Sequence, residues 1–410
     1  MTKRRTVLVA ASGVAAGAVL AGCSEGGASA RWNSPGSSDG STSPSGTSAA
    51  DADITITPVA GTKDVSPADG VVVTAIAGTL QTVAVTAAGK AVDGALDSDQ
   101  KTWRSTGRLS FNATYTVTAT VTGTGGGPAT KTSTFTTVKP ARLVSATLQA
   151  NAMASLKGGG TYGVGQPVIV AFSKAPADRA AALKALDVKV EPEVEVRWRW
   201  VDASTVHGRP EKYWAAGTKI TINANMYGVN LGKGMYGKAN NSASITIGSA
   251  HVAIADTKSH YMKVYVDGKL VKNMPISAGK GGYTHGSKGQ LIDFWTHSGP
   301  HVVLTKEATH RMTSASYGIT NKSDPNFYDE VIDLCCRISY SGEFTHSAPW
   351  SVGAQGHSNV SHGCINLSPA NARWIYDNFR VGDIVDVRNT PKALPIWDGL
   401  GDWGIPWSKW

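Results

Sequence analysis

The 410-residue sequence predicts a mainly β protein: two β-sandwiches, then a third β-rich domain with one short helix and a tryptophan-rich tail. Three observations carry that prediction. Short apolar runs alternate with Thr from residue 51 onward, which is the period of a half-buried strand. Gly, Asp and Pro punctuate those runs at intervals that suit antiparallel sandwiches. Helical spacing is confined to an Ala-rich stretch near 177–186 and a better-marked one after Ser368.

The chain begins with Lys3, Arg4 and Arg5, followed by an uncharged small and apolar stretch from 6 to 19 and then Leu20-Ala21-Gly22-Cys23. That stretch is shorter than the about 20 apolar residues of a membrane-spanning helix, and it has the layout of an export signal. A cysteine directly after Leu-Ala-Gly resembles the bacterial lipobox. Residues 1–23 are therefore read as a lipoprotein signal peptide, with Cys23 acylated and the mature chain anchored outside the cytoplasmic membrane. Arg4-Arg5 leaves both general and twin-arginine export open. Residues 24–50, rich in Gly, Ser, Ala and Pro, hold too little apolar surface to fold and form a flexible linker spanning roughly 30 Å.

Residues 51–143 form the first module. Ile54 and Ile56, Val71 to Val73, Val83 and Val85, and Tyr115, Val117, Ala119 and Val121 mark its strands, and Pro140 closes it. Residues 144–249 form the second, with Val168-Val170-Phe172, Val194-Val196-Trp198-Trp200, Ile220-Ile222 and Ile245-Ile247. Neither contains a catalytic constellation, so both read as spacers or wall-contact modules. The third domain covers 250–389. Met262, Val264 and Val266 alternate up to Asp267-Gly268, a type I′ hairpin pair. Ser368 as cap, Pro369 at the first turn, and Ala372, Ile375, Tyr376 and Phe379 on one face predict its helix, which Gly382 ends. In the tail, 390–410, Trp397, Trp403, Trp407 and Trp410 are expected to pack back on the third domain.

The formal charge is +9, and without Lys3, Arg4 and Arg5 it is +6. This mild excess suits a polyanionic envelope polymer, and no basic block or aromatic–basic platform points to nucleic acid. Four cysteines are too few for a disulfide scaffold. Cys335 and Cys336 are adjacent and read as small buried hydrophobes; Cys364 stands alone.

The informative stretch is His346 to Asn366, HSAPWSVGAQGHSNVSHGCIN. A thiol with its usual pKa of about 8.5 is only a few per cent thiolate at neutral pH, and a nearby imidazole can take its proton, hold a thiolate–imidazolium pair and later protonate a leaving amine. His362 is two residues from Cys364, a spacing that seldom makes the working pair. His346 arrives from another strand and is read as the base. Gly363 lets a substrate carbonyl approach the main chain, so that the Gly363 and Cys364 amides can face a developing oxyanion. Asn366 is placed to orient the substrate.

Ser361-His362-Gly363-Cys364-Ile365-Asn366 with His346 upstream resembles the L,D-transpeptidase (YkuD-type) catalytic domain. Ser341-Gly342, Ser347-Ala348-Pro349-Trp350, the Trp-rich tail and the two preceding modules extend the likeness to mycobacterial-type L,D-transpeptidase lipoproteins, whose modules are immunoglobulin-like. The resemblance implies attack by Cys364 on the L,D-amide of a donor tetrapeptide stem, loss of D-alanine, and a thioester. An amine of a second stem then resolves it into a 3→3 peptidoglycan cross-link. It further implies that Ser347 holds His346 through its main-chain carbonyl, with Ser361 and His362 as support. Tyr317, Tyr328 and Met312 would belong to an active-site lid, and Tyr328, Ser341, Gly342, Asn366 and Trp350 would contact substrate. Carbapenems would acylate Cys364, and no cofactor or metal is required.

The sequence departs from that pattern in places. Asn230 and Lys233 stand where related modules carry calcium ligands, so no calcium is expected there. Residues 281–300 match poorly. His285, His297, His301 and His310 read as surface residues, and Tyr317 and Tyr328 also suit plain packing. An L,D-carboxypeptidase using the same thiol and a wall-binding lipoprotein without catalysis remain as alternatives. A zinc site built from His346, His357, His362 and Cys364 lacks any recognised ligand spacing.

Overall fold

A computed structural model describes residues 54–122 and 127–410; Cys23 and the stretches read above as signal peptide and linker lie outside the described residues. The first module closes two four-stranded sheets on one core. Strict alternation in Ile54–Thr57 and Thr114–Thr122 sends Ile54, Ile56, Tyr115, Val117, Ala119 and Val121 inward, against Val73, Trp103 and Phe135. The second module pairs a five-stranded sheet with a four-stranded one. Its helix, Arg179–Lys184, is capped by the Asp178 carboxylate and is shorter than expected, because Leu186 already opens the strand Leu186–Glu191. The expected strand around 194–200 begins only at Arg197, and Val194 is exposed.

The two modules differ in what they share with the third domain. The core of the first is its own. That of the second runs on without a break into Val302, Leu304, Ile384 and Leu400 of the third domain and tail. The second module is therefore packed on the third domain through a shared apolar core, a closer union than a spacer needs.

The third domain has a five-stranded sheet, made of Lys269–Pro275, Tyr261–Val266, His251–Asp256, Ile384–Arg388 and Gly299–Val302 in that spatial order. A four-stranded sheet follows the order Thr305–Thr313, Asp329–Arg337, Phe344–Ser347, Ile365–Leu367. Asp267 and Gly268 both have positive φ (48° and 79°), as a type I′ turn requires. The helix Pro369–Asn378 starts at Ser368, whose hydroxyl accepts the Asn371 N–H. Its Ala372 and Ile375, with Phe379 just beyond, pack on Ile365, Leu367, Val385 and Val387. That contact holds the last strand of the four-stranded sheet from behind.

The tail does not simply return to the third domain. Arg209 of the second module, 1% exposed, lies under Trp403, Trp407 and Trp410 at 4.9, 5.5 and 4.2 Å from their ring centroids. It donates to the Ile405 carbonyl at 2.6 Å, and Asp402 meets His207 Nδ1 at 2.7 Å. Trp403 also donates to the Gly165 carbonyl. The indoles find their partners on the second module because the guanidinium there offers both cation–π faces and donors. Trp397 alone is left exposed.

Candidate active site

Two parallel strands set the centre. In Phe344–Ser347 and Ile365–Leu367, Thr345 pairs with Ile365 and His346 with Asn366. Cys364 immediately precedes the second strand, two positions from the residue opposite His346; alternation places it on the side of the sheet that His346 shares. All four residues of the histidine strand are buried. His346 Nδ1 lies 2.9 Å from the Ser347 carbonyl, so that nitrogen carries the proton and donates it, and Nε2 keeps a free lone pair. Burial pushes the ring's pKa down to about 4, against the smaller upward pull of Ser347. Trp350, largely exposed, stacks on the imidazole at 6.0 Å and covers it from solvent.

The Cys364 thiol points to the Gly342 carbonyl at 3.7 Å and takes a hydrogen bond from the Phe344 main chain. Burial pushes it up to about 12, and the neighbouring Glu343 adds to the rise. Burial thus works against charge on either group, and so against the thiolate–imidazolium pair that the sequence suggests, unless a substrate compensates it. Met312, Ile332, Cys335 and Phe344 form the apolar wall beside the sulfur, with Tyr328 against them. Cys335 and Cys336 are both buried free thiols.

The oxyanion expectation is altered in one half. Gly363 has φ +133°, a conformation that favours glycine. Its N–H is already spent on Ser361 Oγ at 3.1 Å, and its carbonyl accepts from Thr296 Oγ1 at 2.7 Å. Ser361 in turn donates to the Cys364 carbonyl at 2.6 Å. Among the described residues the Cys364 N–H has no hydrogen-bond acceptor. Asn366 is 3% exposed and gives its amide to Ser351 Oγ at 3.0 Å. It braces the floor under the histidine strand and is not presented to a substrate, contrary to expectation. Ser341 is likewise occupied: Asp398 of the tail accepts its N–H and its hydroxyl, both at 2.6 Å. Gly342, at φ +109° with open space around it, is the residue of that turn that reaches the thiol.

Over the site lies the segment 314–328. Its 3₁₀ turn Ser314–Tyr317 starts at Thr313 and stops at Gly318. Ser314 Oγ is within hydrogen-bond distance of the Ile319 and Tyr328 carbonyls. Tyr317 and Tyr328 approach at 6.2 Å between centroids, and Tyr328 leans on His362 at 5.2 Å. Burial pushes both phenols up, Tyr317 to about 12. His362 accepts from Lys280 at 3.3 Å and meets the Phe294 ring edge-on; burial and that lysine push it down to about 4. It is a neutral pillar of the wall, not a base.

Several residues of the site went unread in the sequence. Lys280 and Thr296 flank or lie in the poorly matching stretch 281–300. Glu343 is buried between His297 and His301, two residues expected at the surface; His301 is fully buried. A buried carboxylate draws the imidazoles in. His310, with Glu307, is half-buried, and His285 and His357 are exposed.

Residues 250–387 match the family model for the L,D-transpeptidase catalytic domain, and 62–230 match a bacterial Ig domain. L,D-transpeptidase 2 of Mycobacterium tuberculosis is 41% identical over 78% of this chain and 74% of its own length. L,D-transpeptidase 5 of the same species is 34% identical over 87% of this chain and 76% of that protein. A solved L,D-transpeptidase in complex with imipenem is 30% identical, covering 59% of this chain and 99% of the other, at a TM-score of 0.47.

Proposed function

We propose a specific reaction for this chain, which belongs to the L,D-transpeptidase family and is by that membership an acyltransferase: Cys364 carries an acyl group from one peptidoglycan peptide stem to another, forming 3→3 cross-links. The observation that carries the reading is the placement of Cys364 directly before the strand Ile365–Leu367, which pairs in parallel with the strand of His346, with His346 Nδ1 tied to Ser347 and Nε2 left as acceptor. As substrate enters, the thiol proton leaves the Gly342 carbonyl for His346 Nε2, and the sulfur attacks the carbonyl carbon of the L,D-amide. The C–S bond forms, the C–N bond breaks, and the imidazolium returns the proton to the departing D-alanine amine. The Cys364 N–H is the free donor for the oxyanion. An acceptor amine then attacks the thioester, restoring the thiol.

A strained β-lactam carbonyl meets the same groups, so carbapenems acylate Cys364 in this reading. Tyr317, Tyr328, Met312 and Trp350 frame the donor stem. The signal segment and Cys23 put the enzyme on a lipid anchor in the cell envelope, next to its polymer. Incubation with a disaccharide-tetrapeptide, followed by mass spectrometry, tests the reaction. Cross-linked dimers with released D-alanine are expected; tripeptide monomers alone would mean hydrolysis, an L,D-carboxypeptidase. Cys364→Ala should abolish the carbapenem adduct, and an adduct persisting in that variant would remove Cys364 from the site.

A further inference from the structure

The sulfur is gripped by the Gly342 carbonyl and the Phe344 main chain, and the residue between those two points its carboxylate inward. Glu343, 5% exposed, accepts from the His297 N–H at 2.7 Å, from His297 Nδ1 at 3.0 Å and from His301 Nε2 at 3.2 Å. Its own N–H rests on Ser339 Oγ at 2.9 Å. On its far side it reaches Gly363: a Cβ there would sit 3.9 Å from Glu343 Cγ. Thr296, next to His297, holds the Gly363 carbonyl. One short wall segment, Thr296-His297, therefore ties both walls of the thiol's cleft together, and the carboxylate is the knot.

We propose that Glu343 is a positioning residue for the Cys364 nucleophile: its carboxylate, gripped by His297 and His301, fixes the Gly342–Phe344 segment against the sulfur and confronts that sulfur with a negative charge. The inference rests on Cys364 being the acyl carrier. A buried carboxylate carries a desolvation cost that its three donors must offset. What the carboxylate adds is field. Like charge beside a thiol disfavours the thiolate, while a proton shared with His297 relieves it. The charged and titratable groups around the cluster are His297 and His301, Asp398 of the tail, Lys392 (itself paired with Asp293), Arg337, and the thiol. The two imidazoles hold the Glu343 carboxyl down to about 2, and the carboxylate lifts His297 above its usual value despite burial. The cluster is thus a carboxylate with a titratable counter-charge, set one residue from the thiol's hydrogen-bond acceptor.

Two substitutions with opposite expected signs test this in the full chain. The readout is iodoacetamide alkylation of Cys364, quantified at that residue by mass spectrometry from pH 5 to 10, with Cys364→Ala as blank. Glu343→Gln keeps the shape and an acceptor for His297 but removes the charge. Alkylation at pH 7 should rise about tenfold, the effect of a one-unit fall in the thiol pKa. His297→Gln keeps a donor but cannot carry the proton, and alkylation should fall about threefold below pH 7 and match the wild type well above it. A merely structural role moves both variants the same way; that result, or two unchanged profiles, overturns the proposal. Should Glu343→Gln melt well below the wild type, His297→Gln decides alone, and a wild-type profile there overturns the proposal. A carbapenem adduct in the wild type separates this outcome from failure of the proposed reaction: without one at Cys364, it is the acyl-carrier reading that falls.

Discussion

The thiol has two sides, and they are built in opposite ways. The His346 side is local: a histidine held by the next residue's carbonyl, capped by Trp350 four positions on, on a strand paired directly with the one after Cys364. It is neutral and dry. The Gly342 side is assembled from afar. His297 reaches Glu343 across 46 residues of sequence and Asp398 reaches Ser341 across 57. Asp398 belongs to a tail that Arg209 and His207 bind onto the second module. The first side supplies the proton acceptor; the second fixes the sulfur through groups that are charged and remote. Reactivity is encoded in one motif, whereas the placement of the reactive atom depends on three parts of the chain.

The largest expected effect breaks the local side. Replacing His346 with Ala should lower the rate of carbapenem acylation by about 10²–10⁴-fold, the usual worth of a general base, as followed by intact-protein mass. Loss of less than about tenfold would mean that another group takes the proton. Next comes the acid limb of the same reaction. With His346 held down to about 4 and competent only when neutral, acylation should stay flat from pH 7 to near 5 and fall toward pH 4. A fall centred at pH 6–7 would show an imidazole solvated in the ordinary way. The remote side is sharpened by Asp398→Asn, which keeps one acceptor for Ser341 and loses the other. About tenfold slower acylation is expected with little change in apparent affinity, the low end of the about 1.5–3 kcal/mol that a hydrogen bond to a charged group contributes. Arg209→Ala should act more weakly on rate but lower the melting temperature, since it unseats the tail. The smallest effect is reserved for the first module. Its core is separate, so a chain starting at the second module should acylate within about twofold of the full protein, by the rule that distant sites are independent. A larger loss would tie that module to the site as well.

What was legible followed the same divide. The motif around Cys364, the Ser368–Pro369 helix start and the Asp267-Gly268 turn could be read because each is decided by residues within a few positions of one another. The Trp-rich tail was read as packing inward, but not toward Arg209, since nothing local marks a cation on another module as its seat. His297 and His301 were placed at the surface for the same reason: a histidine looks exposed until the carboxylate that buries it is known, and Glu343 lies more than forty residues away. Asn366 and Ser361 stood in the motif as contacts for substrate or oxyanion, yet their polar atoms satisfy buried neighbours. Motif membership gives a residue's neighbourhood; only the hydrogen-bond account gives its employment.

The sulfur's high resting pKa has a consequence for endurance. Peroxides convert thiolates to sulfenic acids far faster than they convert thiols, and irreversible sulfinic and sulfonic states follow. A thiol that burial holds back from ionising offers oxidants little to attack, so a nucleophile with no partner cysteine is shielded by the same apolar wall that seats it.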